Sequence, residues 1–266
     1  MNAKTDDIRA RLELAVDAAR EAGWITLEYF GSDDLRVELK SDNSPVTMAD
    51  RRAEEHLRHR IAESFPDDAI TGEELPDRSG NTSYRWIVDP IDGTKSFVHG
   101  VPLYGTLVGV VCENEPTIGV IYVPGTQECV YAALGQGAWY SRGKTKAEPS
   151  RVSDCRRLED ALFLTSEVKT WVEEDRQDAY HRLQATARLS RTWGDCYGYL
   201  MVATGRAEVM VDPAVALWDV AALPPIITEA GGRFTDWRDR PTIHSSEGVA
   251  TNGHIHQQVM DVLRGG

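Results

Sequence analysis

The sequence predicts an α+β protein built in layers, and three observations carry that prediction. Some segments place apolar residues every three or four positions, as helices do, and others hold short β-rich runs. The two kinds follow one another in mixed order rather than in the strict strand-helix alternation of a doubly wound sheet. Four strand-like runs in succession, separated by glycines and prolines, point to an antiparallel meander in the first half.

Taken in order, Ile8, Leu12, Ala15, Val16, Ala19 and Ala22 mark an amphipathic helix from Asp6 to about Phe30, stopped by Gly31. A strand-like run at Leu35 to Leu39 leads to a second helix. There Thr47 is the N-cap, Asp50 completes a capping-box spacing, Ala53, Leu57 and Ile61 form the buried stripe, and Pro66 lies beyond the end. Ala69 to Thr71 and Trp86 to Val88 are predicted as neighbouring buried strands. Both run into carboxylates: Glu73 and Glu74 after the first, Asp89 and Asp92 after the second.

The meander comprises Tyr104 to Val111, Thr117 to Val123, Glu128 to Ala133 and Gly137 to Tyr140. The polar segment 141–157 is the expected junction between two closely packed halves of one unit spanning residues 1–266. Beyond it the sequence predicts strands at Ala161 to Thr165, Arg188 to Trp193, Ala207 to Val211 and Gly232 to Asp236. Helices are expected near Glu174 to Ala187, from about Tyr197, from about Trp218 to Ala230, and after Asn252. No internal repeat or low-complexity tract interrupts the chain.

Composition narrows function. With 41% hydrophobic and 27% charged residues the chain is an ordinary globular one, and its net charge of −13 argues against nucleic acid or an anionic membrane as partner. Four cysteines without a C-x-x-C pair fit reduced thiols and a cytoplasmic setting. The N-terminus has no apolar signal core, and the longest uncharged stretch, Leu103 to Cys112, is too short to cross a bilayer.

The chemistry concentrates in Trp86 to Gly100, WIVDPIDGTKSFVHG. A strand delivers Asp89 and Asp92 onto a Pro/Gly turn, and Gly93 and Thr94 then open a short helix. Hard oxygen ligands beside free backbone N–H groups suit a divalent cation and a phosphate together. There is no G-x-x-x-x-G-K-S/T loop, and Gly135-Gln136-Gly137 alone does not make a dinucleotide site. Asp89 and Asp92 stand three apart, whereas aspartyl-nucleophile phosphatases carry theirs two apart, and the spacing is not that of an EF-hand. His254-Ile255-His256 reads as surface on a terminal helix. Singly, each carboxylate has a plain structural reading: a solvated Gly-Glu-Glu turn, a capping Asp50, an Asp219 helix cap. Their combination points to metal chemistry.

In that combination the sequence resembles the inositol monophosphatase family of metal-dependent phosphatases. The resemblance runs through Ser44-Pro-Val-Thr-Met-Ala-Asp50, Gly72-Glu-Glu74, Asp89-Pro-Ile-Asp-Gly-Thr94, Trp218-Asp-Val-Ala-Ala222 and Glu229-Ala-Gly-Gly232. It implies an α-β-α-β-α layered sandwich, a single catalytic unit, a homodimer and two or three Mg²⁺ per active site. By the same resemblance Glu73, Asp89 and the Ile91 carbonyl hold one Mg²⁺, and Asp89, Asp92 and Asp219 a second. Glu74 lies beside the first site, Thr94 and Asp50 orient the attacking water, and the Gly93 and Thr94 N–H groups hold the phosphate.

Substrate choice is expected in the second half. Trp193-Gly-Asp-Cys-Tyr-Gly198 and Asp212-Pro213 resemble the histidinol-phosphatase branch, which places Asp195, Cys196, Asp212 and Asp219 at the substrate. Extra carboxylates complement a cationic small-molecule phosphate ester better than a neutral polyol. The alternatives are an inositol or broad sugar phosphatase, a helix-capping Asp195 that never meets substrate, and a non-catalytic scaffold with the same fold.

Overall fold

The structure, a computed structural model, describes residues 3–32, 35–40 and 44–265. Helix α1 (Ala3–Leu27) carries the predicted stripe, with Ala15, Ala19 and Ala22 buried, and ends in turns that run to Gly31. Strand β1 (Val37–Leu39) pairs antiparallel with β2 (Pro45–Thr47), a strand the sequence did not announce. Helix α2 (Met48–Ser64) begins as expected: Thr47 Oγ1 accepts from the Ala49 N–H at 3.1 Å, and the Asp50 carboxylate accepts from the Thr47 N–H at 2.7 Å.

One sheet holds seven strands in chain order: β3 (Ala69–Gly72), β4 (Tyr84–Asp92), β5 (Gly105–Cys112), β6 (Glu115–Val123), β7 (Glu128–Ala133), β8 (Ala138–Arg142) and β9 (Glu148–Pro149). Only β3 and β4 pair in parallel; the others form the predicted meander. The two-residue β9 lies within the expected junction and hydrogen-bonds to β8, too short to leave a periodic signal. Helix α3 (Thr94–Val98) follows β4 directly.

A second sheet contains β10 (Leu162–Leu164), β11 (Leu189–Arg191), β12 (Val209–Asp212), β13 (Arg233–Thr235) and β14 (Gly248–Thr251), in the order β11-β10-β12-β14-β13. Sequence reading missed β14 because a four-residue strand buried on both faces shows no alternation. The helix expected near Glu174 to Ala187 is α5 (Gln177–Thr186), and an unannounced helix, α4 (Val168–Glu173), precedes it, separated from it by Asp175 at φ 59°. Helix α6 (Asp195–Ala203) starts two residues before Tyr197. The segment expected as one helix from Trp218 splits into α7 (Leu217–Val220) and α8 (Leu223–Glu229). Pro224 and Pro225, which lack an N–H, sit in the first turn of α8. Helix α9 (His256–Arg264) closes the chain.

The layers run α1/α2, seven-stranded sheet, α6/α8, five-stranded sheet, α5/α9; each outer seam has its own buried apolar cluster, and one large cluster fills both faces of the α6/α8 layer. A fourth cluster, Ala49, Ile91, Phe97 and Tyr104 with Phe30 against it, fixes α3 to the end of α1. One expectation is corrected. His256 is not surface: it is buried, with Nδ1 3.1 Å from Thr251 Oγ1 and Nε2 3.0 Å from Asp239 Oδ1, and burial lowers its pKa. Only His254 of that pair is exposed. Among the described residues no helix is long and apolar enough to cross a membrane.

A buried ion pair joins α1 to the first sheet. The Arg11 guanidinium donates to both oxygens of Asp68 at 2.8 and 3.0 Å and lies between the rings of Phe65 and Tyr84. Asp68 also accepts from Thr82 and from the Trp86 indole. Replacing Arg11 by methionine leaves that carboxylate buried without its counter-charge, which costs about 3 kcal/mol or more. Denaturant unfolding of Arg11→Met checks this; a loss under about 0.5 kcal/mol, the scale of an ordinary surface change, contradicts it.

Candidate active site

Parallel pairing of β3 with β4 sets Gly72 opposite Val88, so Glu73 and Asp89 leave adjacent strand ends together. Between Asp89 and Asp92 the pairing with β5 shifts register, and Pro90, which cannot donate to a ladder, sits in that irregularity. The Pro90 carbonyl is taken by Thr106 Oγ1 at 2.9 Å, and Asp89 Oδ1 accepts from the Ile91 N–H at 2.9 Å. The bulge thus brings two carboxylates of one strand to one place. Asp219 arrives from α7, where its Oδ2 accepts from the Ala216 N–H at 2.7 Å. Its capping role is real and coexists with membership of the cluster: Asp89, Asp92 and Asp219 each offer an oxygen, all within 4.8 Å of one another.

Burial is the first cause of unusual acidity here, and like charge the next. It drives Asp89 and Asp92 well above the ordinary carboxylate range, with Glu73, Asp195 and Asp219 adding repulsion. Asp219 is pushed up to about 7. Glu74 is likewise pushed up to about 7 although Lys40 Nζ lies 2.6 Å from it and 2.7 Å from Glu73. Crowded carboxylate oxygens that repel one another in a low-dielectric site are the donor set of a hard dication.

Next to the cluster, Gly93 takes φ 88° and caps α3. A Cβ there would lie 3.0 Å from Asp195 Oδ2 and 3.3 Å from the Leu103 carbonyl, so both conformation and space call for glycine. Thr94 Oγ1 lies 3.0 Å from the Ile91 carbonyl and 3.5 Å from Asp50 Oδ1. Asp50 is fully buried, its pKa raised by burial, and its Oδ2 takes both the Thr47 N–H and hydroxyl.

The opposite wall comes from the second half. Gly194 lets α6 pass against Ser166, whose Cα lies 2.1 Å from where a Cβ would be. Ser166 Oγ accepts from the Asp195 N–H at 2.7 Å and donates to Asp212 Oδ2 at 3.0 Å. Asp195 adopts φ 50°, a left-handed conformation that aspartate tolerates at some cost, and burial pushes it up to about 7. Asp212 meets four protein donors: the Ser166 N–H and hydroxyl, Thr165 Oγ1 and Tyr199 OH.

A cavity of about 430 Å³ opens between these walls, lined by Glu73, Asp92, Gly93, Thr94, Asp195, Asp212 and Asp219 among others. Asp50, Glu74, Asp89 and Ile91 stand behind that surface. Cys196 is corrected: its fully buried thiol does not line the cavity, and its backbone N–H donates to the Asp92 carboxylate, which makes it a holder of Asp92 rather than a substrate contact. Sequence reading also missed supports. Buried Glu54 accepts from the Glu74 and Leu75 N–H groups at 2.7 and 3.1 Å, pinning the acidic turn, while Lys40 spans its two glutamates. Ser166, Tyr199, Lys95 and Glu167 line the cavity too. Lys95 stands inside the central acidic motif, next to Thr94, but only spatial proximity identifies Ser166, Tyr199 and Glu167.

Layered α+β architecture with an acidic cluster at a helix-opening turn defines a class, the metal-dependent phosphoric monoester hydrolases. The model of the inositol monophosphatase family matches residues 7–264, and the chain belongs to that family. It is 40% identical to a histidinol-phosphatase of Chlorobaculum parvum, over 96% of this chain and 97% of that one. To a histidinol-phosphatase of Streptomyces coelicolor it is 38% identical, over 97% of each chain. The crystal structure of the extragenic suppressor protein suhB from Bartonella henselae superposes with a TM-score of 0.88 at 29% identity, covering 97% of this chain and 99% of that one.

Raised carboxylate pKa values make stability depend on pH and metal. Glu74 and Asp219 have folded values near 7 against ordinary values of 4.5 and 3.8, so the folded state holds these protons more tightly than the unfolded chain. This stabilisation is complete below the ordinary values and is lost as pH rises through about 7. A dication that binds the ionised cluster restores it. The melting temperature with Mg²⁺ should therefore exceed that with EDTA by more at pH 8 than at pH 5. An equal difference at both pH values contradicts a cation held among carboxylates of raised pKa.

Proposed function

We propose that this enzyme is a Mg²⁺-dependent histidinol-phosphatase, hydrolysing L-histidinol phosphate to L-histidinol and phosphate in histidine biosynthesis. The observation that carries the reading is the pair of opposed walls: an acidic cation cluster on one side, and on the other carboxylates beyond what the phosphate needs. Identity of 36–40% to three histidinol-phosphatases supports it.

In this reading Glu73, Asp89 and the Ile91 carbonyl hold one Mg²⁺, and Asp89, Asp92 and Asp219 a second, with two or three ions in all and Glu74 beside them. Bound there, Mg²⁺ supplies Lewis acidity that lowers the pKa of water and offsets phosphate charge. The N–H groups of Gly93 and Thr94 orient the phosphate at the opening of α3. The Thr94 hydroxyl can donate to one acceptor at a time, and Asp50 keeps Oδ1 for it because Oδ2 is engaged by Thr47. That pair orients the attacking water and receives its proton.

Asp195 recognises the cationic end of the substrate. Asp212, with four donors on its two oxygens, holds Ser166 and Tyr199 in place and acts through them. The chain works as one catalytic unit over residues 1–266, its halves joined near 141–157. A cavity lined from both sheets' sides supports that. A cytoplasmic homodimer completes the proposal, on the family's habit.

A hydrogen bond to a charged group contributes roughly 1.5–3 kcal/mol, so Asp195→Asn should cost about 10- to 150-fold in kcat/KM for L-histidinol phosphate and far less for inositol 1-phosphate. Steady-state phosphate release with both esters checks this. Equal losses return Asp195 to a structural role, and a wild-type preference for inositol 1-phosphate overturns the substrate assignment.

A further inference from the structure

The cavity wall contains an ion pair that neither the metal cluster nor the phosphate cradle uses. Lys95, in the first turn of α3 and next to Thr94, donates to the Glu167 carboxylate at the start of α4. Their side chains are 67% and 41% exposed, and both line the cavity. The bridge spans its mouth from the first half of the chain to the second.

Charge accounting in the cavity gives this pair its meaning. Lys95 is the one cationic side chain among the described lining residues. The acidic lining residues are Glu73, Asp92, Glu167, Asp195, Asp212 and Asp219. Asp92 and Asp219 belong to the cation cluster, Glu73 is paired with Lys40, and Asp212 is saturated by protein donors. Asp195, close to Gly93, is given above to the substrate's cationic end. Glu167 is the acidic group that remains, at the mouth of the cavity. Its backbone is anchored, because the preceding residue, Ser166, is bonded to both Asp195 and Asp212. In the absence of substrate its charge is masked by Lys95.

We infer that Lys95 and Glu167 form an exchangeable clasp: a phosphate monoester carrying an ammonium group displaces Lys95 from Glu167, the ammonium takes its place, and the freed lysine moves to the phosphate. This rests on the cationic-substrate reading above and adds, beside Asp195, a second acidic contact at the mouth of the cavity for an ammonium group. An ion pair this solvated contributes little to stability, so opening it is easily offset by the two new contacts. A neutral ester opens the clasp without refilling Glu167. The clasp therefore discriminates by the presence of an ammonium group beyond the phosphate, which the metal cluster cannot read.

The test compares kcat/KM for L-histidinol phosphate and glycerol phosphate in wild type, Glu167→Gln and Lys95→Met, with Mg²⁺ present throughout. Glu167→Gln should lower the value about tenfold for histidinol phosphate, mainly through KM, and raise it for glycerol phosphate because Lys95 is freed. Lys95→Met should lower both esters by similar factors. Equal change in the two esters with Glu167→Gln overturns the clasp while leaving the substrate reading intact. A Lys95→Met enzyme improved for histidinol phosphate and unaltered for glycerol phosphate makes the lysine a mere shield, and also overturns it. A wild type that handles the two esters equally removes the cationic-substrate reading and the clasp with it.

Discussion

Like charge at short range governs this molecule. Asp89, Asp92 and Asp219 hold oxygens within 4.8 Å of one another, the first buried and the others half-buried, with Glu73 and Asp195 near enough to raise the cost of ionising them. Water screens them only in part there, and Lys40 is placed on the glutamates rather than on the three aspartates. A dication is the economical solution, and it turns an acidic protein with net charge −13 into one that attracts a phosphate.

The scaffold exists to keep those charges from relaxing apart. A register shift at Pro90 turns two carboxylates of β4 towards one site, a backbone N–H holds Asp219, and another, from Cys196, holds Asp92. Buried Glu54 fixes the turn that carries Glu73 and Glu74. These bonds join α2, the first sheet and the helices α6 and α7, so the site takes shape only when those layers are assembled. Such placement of supporting bonds is what keeps ligand geometry within the tolerance that catalysis demands.

Much of this was legible in the sequence because it is written in local patterns. Long β-rich runs punctuated by glycines and prolines marked the meander, three-four spacing marked α1 and α2, and the acidic motifs stood at strand ends and helix starts. What stayed hidden has physical reasons. β9 and β14 are too short for periodicity, and α4 is hidden in a polar stretch that ends at a left-handed Asp175. Lys40, Glu54, Ser166 and Glu167 act across long sequence separations, so nothing near them in the chain signals a role. Cys196 misled for the opposite reason: it sits in a conspicuous motif, yet contributes its N–H rather than its thiol.

The sharpest test of the account is turnover itself. Enzyme dialysed exhaustively against EDTA should release no phosphate from L-histidinol phosphate above the rate without enzyme, and adding excess Mg²⁺ should restore full activity, because the crowded carboxylates work only around a cation. Undiminished turnover in excess EDTA would contradict that claim directly.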